Sequence, residues 1–343
     1  MVSSAILRVS DPSSDDLQRI VRAQTPVILA GLFRDQPIGN IASLDRFSAC
    51  LWDVTLRCSQ EYSYNEFEPI RYGVPPKAMS LVEYLRVVES DPATSWMCVE
   101  DALPDEIQEL FTLPLVLDRI GEADDDLRFR LFVGNSGNRS SMHFDAHMRS
   151  SLLHQICGDK QVVLVSPTQS SKLLPMMNFS GWMVHHMGAG ERADLLSFVD
   201  ARVGRLLPGE TLFIPTAWWH HVEYKTFAAS FSVGLRRDAL PRLLGSHELH
   251  WTHRSAAIGA CAAAGAPVPS NLTARLRAVL DSGREADDVF DAVEAIYADA
   301  YRLVCTDHPC SRTAALRPIP ERMYWTDRLA RGLLYAPRSG AKD

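Results

Sequence analysis

Three residues of this chain have the types and spacing that hold a catalytic metal. His143 and Asp145 stand two apart in Met142-His-Phe-Asp145, and His220 lies far downstream in Ile214-Pro-Thr-Ala-Trp-Trp-His-His-Val-Glu223. Two imidazoles and one carboxylate form the facial triad of non-haem iron(II) oxygenases, which leaves open positions for a co-substrate and for dioxygen. In a strand, residues i and i+2 share a face, so His143 and Asp145 can reach one ion while Phe144 turns into the opposite layer. His220 must arrive from another strand. A lone His-x-Asp is common by chance, whereas Trp-Trp-His-His is much rarer; together they carry the metal reading. Asp145 also favours hydroxylation over halogenation, because a halide needs the vacancy that alanine or glycine would leave.

Short strands must position these residues. From Leu127 the texture alternates: Arg128–Gly134, Met142–Ala146, Leu152–Ile156, Gln161–Val165, Thr211–Ile214, His220–Tyr224 and Ala228–Leu235 all read as strands. Asn135–Asn138, Gly158-Asp159 and Pro208-Gly-Glu210 punctuate them as turns. Many short strands without interleaved long helices predict an antiparallel barrel or jelly roll. Upstream, Asp15–Ala23 reads as a helix, Pro26–Gly31 and Val54–Cys58 as strands, and Asp105–Phe111 as a short helix. The Met79-Ser-Leu-Val-Glu stretch reads as a helix with a serine cap. After Arg237 the pattern turns helical, with Leu272, Leu276, Val279 and Leu280 on one face and Val289, Val293, Ile296, Ala300 and Val304 on another. The Ala/Gly/Pro-rich 256–270 segment reads as a linker. The expected division is 1–125 for N-terminal α/β elements packing on the barrel, 126–237 for the catalytic jelly roll and 238–343 for a helical region.

Composition excludes several classes. A chain of 343 residues that is 46% hydrophobic and 22% charged is globular. The net charge of −7 comes without any basic block, so nothing favours a nucleic-acid partner. The opening residues lack the pattern of a signal peptide, and no apolar run would cross a bilayer; a soluble, cytoplasmic protein is expected. Seven scattered cysteines suit reduced thiols better than a disulfide framework. Cys305-Thr-Asp-His308-Pro-Cys310 lacks the second half that a zinc knuckle needs.

The segment from Ser140 to Leu235 resembles the Jumonji-C, cupin-like family of iron(II)- and 2-oxoglutarate-dependent oxygenases. Within it, the segment looks most like the branch of the asparaginyl hydroxylase called factor inhibiting hypoxia-inducible factor. The resemblance rests on His143-Phe-Asp145, Gln155-Ile-Cys-Gly-Asp-Lys160, Ser166-Pro-Thr-Gln169 and the run from Pro208 to Glu223. It implies a double-stranded β-helix, iron(II) held by His143, Asp145 and His220, and 2-oxoglutarate gripped at its distal carboxylate by Lys160. Ser140 stands where the family has a co-substrate-binding threonine. Two departures stand out: the stretch Trp96-Met-Cys98-Val-Glu has no tyrosine where the branch contacts the keto acid, and an asparagine of the last barrel strand is replaced near Gly234. The chain is also two residues longer around Ala146–Ser151.

Other residues keep both structural and functional readings. His221 follows a ligand and should point away from the metal. His147 could face the cavity, and His185 and His186 sit in a Gly/Met-rich insertion, Phe179–Glu191, long enough to be a lid. Trp218 and Trp219 read as core anchors, and Arg236-Arg237 as a solvated strand end. The resemblance implies hydroxylation of an amino-acid side chain in a protein, peptide or small molecule, with dioxygen consumed and succinate and carbon dioxide released. The alternatives are an N-methyl-lysine demethylase with the same site, and a non-catalytic metal-binding cupin. In related hydroxylases C-terminal helices form a dimer interface, so a homodimer through 238–343 is expected.

Overall fold

In the computed structural model, the described residues are 4–51, 54–60, 77–118, 129–145 and 149–235, without 174, 177, 178, 181, 183, 185 and 186, plus scattered positions between 274 and 292. His147, His185, His186, Arg236-Arg237, the 256–270 linker, the Cys305–Cys310 cluster and nearly all of the C-terminal helical region lie outside the described residues.

The first half of the chain builds strands and short helices by local signals. Strands β1 (Ser4–Ala5) and β2 (Leu7–Ser10) precede α1 (Ser14–Ala23). A capping box starts α1: the Ser13 hydroxyl accepts from the Asp16 N–H, and the Asp16 carboxylate accepts from the Ser13 N–H. Strand β3 (Val27–Ala30) is followed by α2 (Leu44–Cys50), β4 (Thr55–Gln60), β5 (Lys77–Ser80) and α3 (Leu81–Ser90). Ser80 and Glu83 repeat the capping box at α3. Strand β6 (Trp96–Ala102) and two single turns, α4 (Asp105–Gln108) and α5 (Leu115–Asp118), complete this part.

The second half supplies the strands that enclose the site. They are β7 (Phe129–Gly134), β8 (Ser151–Cys157), β9 (Lys160–Val165), the short β10 (Pro175–Met176) and β11 (Phe179–Ser180), then β12 (Arg202–Leu206), β13 (Glu210–Ile214), β14 (Trp219–Tyr224) and β15 (Ala228–Gly234). Helix α6 (Ala189–Phe198) precedes β12. From β12 to β15 successive strands alternate between two sheets. A nine-stranded sheet runs β2-β3-β13-β8-β15-β7-β6-β4-β5, and a four-stranded one runs β1-β12-β9-β14. Placing β8, β13 and β15 in one sheet and β9, β12 and β14 in the other is the winding of a jelly roll, so the chain is mostly β as expected. Ile28, Leu153, Leu164, Leu212 and Trp218 fill the space between the sheets, and a second cluster around Phe33, Phe47, Tyr84 and Phe231 lies on the other face of the large sheet.

The N-terminal elements join the barrel through its large sheet, which they widen: β3 pairs with β13 and β6 with β7. Several expectations are corrected here. Met142–Ala146 is not a strand. Only His143 forms a bridge, to His220, and Ala146 lies outside the described residues. The segment predicted as an insertion contains a two-residue strand, and its end begins α6. Strand β12 and helix α2 were not foreseen. Among the described residues no helix is long and apolar enough to cross a membrane.

Candidate active site

Strand β14 sets the geometry by alternation. His220, Val222 and Tyr224 line the cavity between the sheets, while Trp219, His221 and Glu223 take the other face. Trp219 is fully buried, meets Phe144 edge-on at 4.8 Å and donates its indole N–H to Ser170. This pins the segment carrying His143 and Asp145 against β14. The backbones of His143 and His220 exchange hydrogen bonds of 3.0 and 2.6 Å, which puts their rings 4.2 Å apart between centroids. The turn before β14 holds Ala217 at φ 61, a left-handed conformation unusual for alanine.

The three predicted ligands are brought together. One ligand atom from each of His143, Asp145 and His220 lies within 4.8 Å of the others. Asp145 Oδ1 is 3.9 Å from His143 Nε2 and 3.6 Å from His220 Nε2. The second ring nitrogens settle the tautomers. His143 Nδ1 lies 2.7 Å from the Ser141 carbonyl and His220 Nδ1 lies 3.0 Å from the Trp218 carbonyl. A carbonyl only accepts, so each Nδ1 carries a proton, which leaves Nε2 as the ring nitrogen that faces Asp145 and can ligate. Burial, then the neighbouring His220, pushes the His143 imidazole down to about 4, which keeps it neutral at ordinary pH. Two imidazoles and a carboxylate with no thiolate form a hard nitrogen–oxygen set, which fits iron(II).

Lys160 opens β9 and is 1% exposed, with its side chain lining the same cavity. Gly158, at φ +68, makes the turn that delivers it; a Cβ there would run into the Phe227 carbonyl and sit 2.8 Å from Ala228 Cα. The Lys160 ammonium donates to Ser230 Oγ and stands 4.2 Å from the Tyr224 ring centroid and 5.7 Å from that of Phe132. Among the described residues no carboxylate lies within ion-pair distance of it, and burial pushes its pKa down to about 7. A buried cation facing a cavity, with no carboxylate paired to it among the described residues, fits an anionic ligand.

Ser140 also lines the cavity, and its hydroxyl accepts from the Val222 N–H at 3.0 Å, leaving its own proton to donate. His221 points away from the metal ligands, with Nδ1 bonded to the Ser140 carbonyl. Behind it, Glu223 pairs with Arg192 of α6 at 3.3 Å and with Lys225 at 2.7 Å. Trp218 is buried beside the Arg202 guanidinium, and Trp219 in the core. β6 lacks a tyrosine and presents Met97 and Val99 instead, with Glu100 at the cavity at φ 53. On the large sheet, the small residues Ser151, Ser232 and Gly234 share the wall with Arg130, Phe132, Leu153 and Ile214. Tyr224, Ser230 and Phe132 were not singled out in the sequence. Only the alternation from His220 through Val222 could have flagged Tyr224.

Residues 13–236 match the family described as "Cupin-like domain". "Jumonji C domain-containing protein 5" of Drosophila melanogaster is 31% identical over 108 residues, covering 30% of this chain and 26% of that protein. "Lysine-specific demethylase 8" of Danio rerio is 32% identical over 122 residues, 33% of this chain and 28% of that protein. "Lysine-specific demethylase JMJ21" of Arabidopsis thaliana is 23% identical over 235 residues, 61% of this chain and 23% of that protein. The chain thus spans about a quarter of the length of these relatives.

Proposed function

Because the chain belongs to the cupin-like domain family, we propose that it is an iron(II)- and 2-oxoglutarate-dependent dioxygenase that hydroxylates an amino-acid side chain. The observation that carries this reading is one cavity lined by both the His143, Asp145, His220 triad and the unpaired cation of Lys160. Jumonji-C proteins in general depend on that metal and co-substrate. When bound, iron(II) with 2-oxoglutarate and dioxygen supplies the oxidising chemistry, and succinate and carbon dioxide leave as co-products.

The residues of this chain bind, orient and exclude water. His143 and His220 present fixed Nε2 lone pairs because their Nδ1–H groups are held by carbonyls. Asp145 adds the anionic oxygen. Lys160 grips the distal carboxylate by a charge-assisted bond, with the Ser140 hydroxyl nearby as a second donor. Met97, Val99, Leu153, Ile214 and Val222 give the cavity apolar walls that shield the reaction from solvent. No protein acid or base is needed.

Hydroxylation of a side chain in a protein, peptide or small molecule is the finer reading, supported by the resemblance of 140–235 to the asparaginyl-hydroxylase branch. Incubation with iron(II), ascorbate and 2-oxoglutarate should yield succinate and add one oxygen atom to a substrate. No succinate with any substrate offered would overturn the dioxygenase reading. The names of two relatives motivate a second reading, N-methyl-lysine demethylation, in which formaldehyde release replaces the stable mass gain. Metal binding without 2-oxoglutarate affinity would point instead to a non-catalytic cupin. We also propose a homodimer through 238–343; light scattering on protein truncated before Ser270 should show loss of the dimer mass.

A further inference from the structure

An ammonium group buried beside an anion site has two ways to be stabilised. A neighbouring carboxylate would neutralise it and compete with the ligand. An aromatic face stabilises the cation through its quadrupole and leaves the net charge intact. This cavity uses the second arrangement. The Lys160 ammonium lies 4.2 Å from the Tyr224 ring centroid, with Phe132 further out at 5.7 Å. Its hydrogen-bond acceptor among the described residues, Ser230 Oγ, is neutral. The adjacent thiols of Cys98 and Cys157 are held protonated by burial and add no charge.

The fold makes room for that ring at a definite place. Tyr224 and Lys160 are directly paired in the β14–β9 register. Gly134 of β7 lies against the ring edge: a Cβ there would stand 2.7 Å from Tyr224 Cε1 and 2.9 Å from Cδ1. Its pairing partner in β15 is Ala228, also small and fully buried, and Met97 closes the cluster. The ring occupies a slot formed where two residues are too small to fill it.

We propose that Tyr224 is a positioning residue for 2-oxoglutarate, its ring face placing the Lys160 ammonium and aiming it into the cavity, with Gly134 as the seat of that ring. The proposal rests on the co-substrate reading above and places a tyrosine at the distal carboxylate from β14, whereas β6 supplies none. The ring carries the effect and the hydroxyl does not.

The test is calorimetric titration of 2-oxoglutarate into protein loaded with manganese(II), which reads binding without turnover. Tyr224→Phe should bind within about threefold of the wild type. Tyr224→Leu and Gly134→Ala should bind about 3- to 30-fold more weakly, with manganese affinity unchanged in all three. Leucine binding as tightly as tyrosine would overturn the proposal, as would phenylalanine binding as weakly as leucine. Should Tyr224→Leu not fold, ring-fluorinated phenylalanines at position 224 keep the shape and weaken the face. Affinity should then fall stepwise with fluorination, and a flat series overturns the proposal. A wild type that binds manganese but no 2-oxoglutarate would overturn the co-substrate reading itself, an outcome distinct from the others.

Discussion

Replacing Lys160 by methionine should stabilise the empty protein while abolishing its response to 2-oxoglutarate. Methionine keeps the apolar stem and removes the charge. Burial lowers the Lys160 pKa from 10.5 to about 7, and at ~1.4 kcal/mol per tenfold change in proton affinity the charge is disfavoured by up to roughly 5 kcal/mol. Methionine forfeits the bond to Ser230, about 2 kcal/mol for a charged donor, and the Tyr224 ring contact, about 1 kcal/mol. The net gain is about 2 kcal/mol, or on the order of 4 °C in Tm. The pH dependence fixes the sign. The folded pKa lies below the unfolded one, so the penalty on the wild type is complete below pH 7 and shrinks as pH rises from about 7 towards 10.5. The variant should therefore melt higher at pH 6 and show no advantage at pH 9. Scanning calorimetry with and without 2-oxoglutarate, on manganese-loaded protein, checks both halves. At about 100 times Kd the wild type should gain about 2.7 kcal/mol and the variant nothing. A variant that is less stable at both pH values, or that still gains from the ligand, refutes the reasoning.

Binding of 2-oxoglutarate at pH 8 should take up close to one proton, because the largely neutral Lys160 must recharge against the incoming carboxylate; binding heats in buffers of differing ionisation enthalpy read this directly, and no uptake counts against it. Asp145→Ala should lower metal affinity at least tenfold, measured by metal titration, while leaving the circular dichroism of the sheets unchanged. Gly158→Ala should destabilise the fold by more than about 2 kcal/mol in urea unfolding, because the turn needs φ +68 and a Cβ meets the Phe227 carbonyl. An undisturbed midpoint would show that the β8–β9 turn relaxes freely.

What could be read from the chain is what one strand determines by itself. The period of two puts His143 and Asp145 on one side, and it sends His220 inward and His221 outward. The cap at Ser80 is equally local, since it is completed three residues away; the matching cap at Ser13 carries the same signal and was not read. Strand β12 escaped notice because Arg202-Val-Gly-Arg-Leu has a glycine and two arginines, and its place comes from β9 on one side and β1 on the other. The segment around His143 read as a strand because its alternation is right. Its pairing is a single bridge, with Ser140 and His143 bonding β14 and Met142 accepting from Ser180 instead.

The least legible part is the Lys160 environment, and the reason is physical. A cation–π contact carries no fixed spacing in sequence: Phe132, Lys160 and Tyr224 come from three strands in two sheets. The glycine that admits the ring sits on β7 and signals nothing by its backbone, since it is absent from the positive-φ glycines. Gly158 and Gly134 are therefore glycines for different reasons, one for a turn and one for a close approach. The small sheet contributes Lys160, His220 and Tyr224, and the large sheet contributes Arg130, Phe132 and Leu153 together with the small Ser151, Ser232 and Gly234 that leave space. A ring on the small sheet, directly beside Lys160, explains why a missing tyrosine on β6 need not empty the anion site. The compensating ring comes from the strand that already holds His220, four residues further along the same face.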